Sequence, residues 1–217
     1  MTDYLARRLL AAGVRAGDRV GLHLPNIPGL ALSYLGCIKA GSIAVAINAR
    51  LKVREIDYIL HHSEAVGYIG HRDYYPEVEG LRKKLPELRL FCVAGEIANE
   101  SSVVNLKDLW QPLGEPAFFP IVDGPKASVI LYTSGTTARP KGVTHSHKSL
   151  IQIAKTMRRL ELNENQIALV TSAVTHPILL DFQDSGRQKF PAPAVRSAKG
   201  LRCDGHSKCG QRKSVGR

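Results

Sequence analysis

The run Tyr132-Thr133-Ser134-Gly135-Thr136-Thr137-Ala138-Arg139-Pro140-Lys141-Gly142-Val143 crowds side-chain alcohols, glycines and one primary ammonium into consecutive positions. Thr133, Ser134, Thr136 and Thr137 each offer a hydroxyl donor, and Lys141 offers a full positive charge. Gly135 and Gly142 let backbone N–H groups turn toward an anion with no Cβ in the way. Such a nest suits a polyanion, and the triphosphate of a nucleotide is the ligand its chemistry points to.

Order matters as much as composition. A Walker loop ends Gly-Lys-Ser/Thr and opens its helix at once, whereas here Lys141 precedes Gly142 and Pro140 precedes both, so the P-loop NTPase pattern is excluded. A Ser/Thr/Gly-rich stretch can also be no more than a solvated loop. The ordered run argues against that reading.

The elements that must hold this loop can be read on either side of it. Ser128 to Tyr132 is apolar and β-branched, as a buried strand would be, and Ser149 to Leu160 places Leu150, Ile153, Ala154, Met157 and Leu160 on one helical side. The loop is therefore expected between a strand and a helix. His145 and His147 follow it closely, and Thr144-His145-Ser146-His147 reads as a helix entry capped by Ser146 or Ser149.

Upstream, helical and strand patterns alternate. Helices are expected over 3–13, 28–40, 54–63 and 74–85, and strands over 19–24, 43–47, 65–69 and 88–93. Strands alternating with helices imply an α/β fold whose mainly parallel sheet is flanked by helices on both faces. Residues 96–126, with prolines at 112, 116, 120 and 125, read as an irregular excursion holding one short helix near Leu106 to Trp110.

Composition sets outer bounds. The 217 residues are 44% hydrophobic and 23% charged, ordinary for a globular chain able to bury a sizeable core. Residues 181–217 carry nine basic and three acidic side chains, which is more than half of the net charge of +11. Asp3, Arg7 and Arg8 stand where a secretory signal needs an apolar core, so the expected address is cytoplasmic. The longest apolar stretch, Leu30 to Ile47, is broken by Lys39 and Gly41. A lysine at a bilayer centre costs about 2.5–3.5 kcal/mol, so no membrane span is expected. Lys39 itself reads as a surface lysine lying along apolar neighbours. Cys37, Cys92, Cys203 and Cys209 show no Cys-x-x-Cys pairing, and Cys203, His206 and Cys209 are too few and wrongly spaced for zinc.

The ordered run resembles the phosphate-binding signature of the AMP-forming acyl-CoA synthetase and ligase superfamily, the adenylate-forming enzymes, whose usual form is Thr-Ser-Gly-Thr-Thr-Gly-x-Pro-Lys-Gly. One position departs: the glycine after the paired threonines is Ala138 here. If that position needs φ > 0, alanine costs about 1 kcal/mol. Gly17-Asp18-Arg19-Val20, Leu24-Pro25-Asn26, Tyr34 to Gly41 and Ile47 to Leu51 are similar to the early blocks of the same superfamily, in the same order. Leu169 to His176 is similar to its next block, a strand ending beside the acyl pocket, although Ala173 and Val174 replace the usual Pro-Leu.

The resemblance implies a two-step reaction in which a carboxylic acid attacks the α-phosphate of ATP and the acyl-adenylate then passes its acyl group to coenzyme A. It implies that Thr133, Ser134, Gly135, Thr136, Thr137 and Lys141 hold the β- and γ-phosphates, that Thr133 touches Mg²⁺, and that His176 borders the substrate pocket. No nucleophile or general base is assigned, because the substrate carboxylate is itself the attacking group. A nucleotide and a carboxylic acid, with fatty acid as the class, are the expected small-molecule partners.

The resemblance runs from residue 1 to about 178. The expected organisation is a partial AMP-binding domain over 1–178 and a divergent, disordered basic tail over 179–217. The superfamily's adenine, ribose, hinge and lid motifs do not occur in this sequence, so the chain is expected to be incomplete as a catalyst. Two other readings stand beside the ligase: a non-catalytic remnant acting as an interaction module, and a nucleic-acid arm formed by the tail. Phe182 and Phe190 are the tail's only aromatics, too few for the interleaving that single-strand binding uses, so no nucleic-acid partner is expected.

Overall fold

Short apolar runs bounded by Gly, Pro or Asn become strands here, and the amphipathic stretches between them become helices. The computed structural model describes residues 1–96, 103–111, 119–133 and 140–159. The chain order is α1 (Thr2–Ala11), β1 (Arg19–His23), α2 (Pro28–Lys39), β2 (Ile43–Ala46), α3 (Val53–His62), β3 (Ala65–His71) and α4 (Tyr75–Arg82). It continues with β4 (Leu90–Ala94), β5 (Val104–Asn105), β6 (Ala127–Thr133), β7 (Lys141–Ser146) and α5 (His147–Arg159). One-turn 3₁₀ segments at Arg72–Tyr74 and Asp108–Trp110 complete the described elements.

The seven strands form one sheet in the order β5-β4-β3-β1-β2-β6-β7. Every neighbouring pair is parallel except β6–β7, which is antiparallel. This bears out the mainly parallel α/β sheet. It also places all the carboxyl ends of β1 to β6 along one edge, where ligands of open α/β sheets bind.

Strand alternation builds two cores. Val20 and Leu22 of β1, Ala44 and Ala46 of β2, Cys92 of β4, and Val129 and Leu131 of β6 face Leu5 and Leu9 of α1, Leu30 and Cys37 of α2, and Leu150 of α5. On the opposite face, Val45, Tyr68, Phe91, Val93, Ile130 and Tyr132 meet Ile56, Ile59 and Leu60 of α3 and Val78 and Leu81 of α4. Fully burying such an aliphatic side chain stabilises the fold by about 1.5–3 kcal/mol, so these two layers carry the stability and fix each strand's face.

Local signals set the boundaries. Pro28 occupies the first turn of α2, and Gly41, at φ +75°, takes the left-handed turn just beyond it. The Lys52 N–H donates to the Glu55 carboxylate across the first turn of α3, 2.9 Å away. Gly36 brings α1 against α2: a Cβ there would lie 2.5 Å from Cδ2 of Leu5.

Two expectations change. The phosphate-loop candidate does not lead from a strand into a helix; it joins β6 to β7, and α5 begins only after β7, at His147. Lys141 to Thr144 are exposed, so this edge strand buries no periodic apolar face that a sequence could display. The short β5 within 96–126 was likewise not expected; the 3₁₀ turn at Asp108–Trp110 falls where the short helix was.

Candidate phosphate-binding hairpin

Thr133 ends β6, Lys141 begins β7, and the two are direct register partners across the antiparallel ladder. The Thr133 hydroxyl points to the Lys141 carbonyl oxygen at 3.5 Å, a weak contact that leaves its lone pairs open. Lys141 is exposed. A neutral hydroxyl and an ammonium therefore stand on the same face at the mouth of a hairpin, at the carboxyl edge of the sheet.

Of the six positions named for phosphate, the structure brings these two together. Ser134, Gly135, Thr136 and Thr137, with Ala138, lie outside the described residues, as do His176 and the tail from 179 to 217. Thr133 supplies one neutral oxygen, of the kind a hard cation such as Mg²⁺ accepts.

Gly142 has a different role from the one its neighbours implied. Its φ is not positive; it pairs with Tyr132 inside the ladder. A Cβ at Gly142 would lie 3.2 Å from Cγ2 of Ile130 and 3.3 Å from Cζ of Tyr132, so the glycine makes room for the tyrosine ring.

That tyrosine reaches further. Its hydroxyl lies 2.8 Å from Nδ1 of His62, at the last turn of α3. The two rings meet edge to face at 5.8 Å, and Tyr58 stacks on His62 at 5.2 Å. Burial pushes the Tyr132 phenol up to about 12, so it remains protonated at neutral pH. Nothing in the sequence pointed to this pair, because 70 positions separate its members.

The two histidines beyond the loop belong to the structure of the hairpin's far end. His145 stands opposite Val129, about 13 Å along the strand from Lys141. Ser146 caps α5 as expected: the Ser149 N–H donates to its Oγ at 3.2 Å. Burial lowers the basicity of His147. Lys39 pairs with Asp3 of α1 and lies 5.7 Å from the Phe119 ring centroid, a surface role as read.

Also at the carboxyl edge, His23 ends β1 in a buried setting. Its Nδ1 lies 2.8 Å from the Tyr68 hydroxyl, its ring stacks on Tyr74 at 4.7 Å, and Nε2 has no hydrogen-bond partner. Burial lowers this imidazole to about 4, against a smaller opposing pull from Glu77. Among the described residues, no helix is long and apolar enough to cross a membrane, and no group of three or more His, Cys, Asp and Glu side chains is placed to hold a metal ion.

Comparison with known proteins completes the picture. The family model described as AMP-binding enzyme matches residues 1–182. A crotonobetaine/carnitine–CoA ligase of Citrobacter koseri is 38% identical over 153 residues, covering 67% of this chain and 29% of its own length. A solved anthranilate CoA ligase in complex with anthranoyl-AMP superposes with a TM-score of 0.63 at 33% identity, covering 71% of this chain and 30% of that one. A long-chain-fatty-acid-CoA ligase of Archaeoglobus fulgidus gives a TM-score of 0.70 at 26% identity, covering 82% and 35% respectively. The chain thus spans less than a third of the length of the curated relatives it matches, 27–29% for the crotonobetaine/carnitine–CoA ligases.

Proposed function

Because the chain belongs to the AMP-binding enzymes, the adenylate-forming acyl-CoA ligases, we propose that the hairpin mouth between Thr133 and Lys141 grips the β- and γ-phosphates of ATP. The observation that carries this reading is the register pairing of those two residues at the carboxyl edge of the sheet. Ser134, Gly135, Thr136 and Thr137 complete the grip in this proposal.

The chemistry asks little of the protein beyond positioning. A substrate carboxylate oxygen forms a bond to the α-phosphorus while the bond to the β-phosphate bridging oxygen breaks, giving acyl-adenylate and pyrophosphate. A thiol then takes the acyl group and AMP departs. Charge accumulates on the pyrophosphate as it leaves, and Lys141 offsets it in a fixed position. Mg²⁺ bound with the triphosphate would supply further neutralisation, and the Thr133 hydroxyl would be a ligand for it.

Fatty acids are the proposed acids, in line with the name of the Archaeoglobus relative. Crotonobetaine and carnitine, in the name of the Citrobacter relative, form the competing class. We place the end of the domain near residue 178, close to residue 182 where the family match stops, with the basic tail outside it. These 217 residues alone are proposed to hold nucleotide without completing turnover. A cytoplasmic address belongs to the same reading, supported by the free, buried thiols of Cys37 and Cys92.

Calorimetric titration with MgATP tests the grip. Wild type binds, and Lys141→Ala weakens binding about tenfold or more, since a charged hydrogen bond contributes about 1.5–3 kcal/mol. Equal binding by the two proteins would sink the assignment. Exchange of labelled pyrophosphate into ATP, run against fatty acids, crotonobetaine and carnitine, separates the acids. Measurable exchange by the purified chain would overturn its proposed incompetence alone.

A further inference from the structure

Two residues outside the signature are tied to both ends of the loop at once. Tyr132 immediately precedes Thr133 on one stem and stands directly across from Gly142, which follows Lys141 on the other. Gly142 leaves space for the Tyr132 ring against β7, where a Cβ would lie 3.3 Å from Cζ. The hydroxyl at the far end of the same ring meets His62 Nδ1 at 2.8 Å. His62 is in turn held by Tyr58, stacked on it one helical turn earlier. The helix that carries both is seated by Ile56, Ile59 and Leu60, all buried.

We propose that Tyr132 and His62 form a clamp that fixes the two stems of the phosphate loop to α3, which makes them positioning residues for nucleotide binding. Its functional half rests on the phosphate-grip reading above. Neither side chain touches the nucleotide in this scheme. With the ring proton on Nε2, the phenol donates to Nδ1, and the Tyr132–Gly142 rung, next to the terminal Thr133–Lys141 rung, is anchored to α3 through a ring. β7 lies at the edge of the sheet, where a single ladder holds it. An edge strand with exposed side chains opens more readily than a central one. The clamp supplies the second attachment that sets where Lys141 stands.

Amide hydrogen exchange and MgATP titration on the full chain test this together. Tyr132→Phe keeps the ring over Gly142 and removes the hydroxyl; His62→Ala removes the other partner. Each is expected to speed exchange at Gly142 and Val143 about fivefold, leave exchange in α1 and β1 unchanged, and weaken MgATP binding about fivefold, the size of one lost hydrogen bond. The double variant should be no worse than either single, since both break the same contact. His62→Asn, which places an amide where Nδ1 stood, should restore both readouts. Unchanged exchange in both single variants, or effects that multiply in the double, would overturn the clamp. Should wild type and Lys141→Ala bind ATP alike, the grip reading falls, and the exchange data still decide whether the clamp exists.

Discussion

His23 Nδ1 lies 2.8 Å from the Tyr68 hydroxyl, deep in the sheet, with the other ring nitrogen unpartnered. Protonating this ring would place a charge whose lost hydration the pull of Glu77 offsets only in part. The folded protein therefore holds the imidazole at about 4, below its ordinary 6.5. Between these values the unfolded chain binds a proton that the folded chain does not, so stability is fully present above about pH 6.5 and is lost as pH falls toward 4. By pH 5 the loss should reach about 2 kcal/mol. Urea unfolding at pH 7 and pH 5 measures it, and His23→Gln should flatten the difference. An equal drop in the variant would refute the assignment to His23.

Gly36 and Gly80 should respond to alanine with opposite signs. At Gly36 a Cβ would sit 2.5 Å from Leu5 Cδ2 and 2.7 Å from its Cγ, so α1 and α2 must separate or Leu5 must leave its rotamer. That overpacking should cost about 1–3 kcal/mol. At Gly80, inside α4, nothing lies within 4 Å of the same atom. Alanine there should stabilise by about 0.5–1 kcal/mol through helix propensity. Thermal denaturation of the two variants gives both signs in one experiment.

Glu64, just past α3, takes φ +50°, a left-handed conformation that costs a non-glycine residue about 1 kcal/mol. Its carboxylate pairs with Arg19 at 2.7 Å, but the Glu64 side chain is 82% exposed, so that pair contributes little. The Arg19 guanidinium also donates to the Ser63 carbonyl at 2.6 Å and the Glu64 carbonyl at 3.1 Å, and a glycine would keep both. Glu64→Gly is thus expected to stabilise by up to about 1 kcal/mol. A lower midpoint in denaturant would show that the ion pair outweighs the backbone strain.

Cys37 and Cys92 should resist alkylation in the native protein. Both are buried; burial pushes the Cys37 thiol up to about 12 and raises that of Cys92 as well. Thiolate is the reactive form, so peptide mapping after brief iodoacetamide treatment should find both unlabelled at neutral pH and labelled in urea. Native labelling of either would contradict its burial.

Strands β1 to β4 and β6 were legible because each is a short, largely buried apolar run bounded by turn residues, whereas β5, two residues long, gave no such signal. Val20 and Leu22, Ala44 and Ala46, and Phe91 and Val93 declare their faces without help from distant partners. β7 is different. Lys141 and Gly142 are poor strand formers, Val143 and Thr144 alone set no apolar period, and the segment is a strand because β6 lies beside it. Within the site, Thr133 and Lys141 could be named from residue type and order, but their pairing could not. The reason for Gly142 was also hidden, since it lies in the tyrosine ring across the ladder and not in the glycine's own backbone.

The reversal of direction between β6 and β7 has a consequence for how this molecule tolerates change. A connection whose two ends are rungs of one ladder can lengthen, shorten or be rewritten in composition without displacing the parallel strands, because its entry and exit are fixed against each other. That tolerance is the sheet's alone: the residues proposed to grip phosphate between Thr133 and Lys141 are fixed by their chemistry and not by the ladder. A graft of a different sequence between those rungs would inherit the same geometry of departure and return.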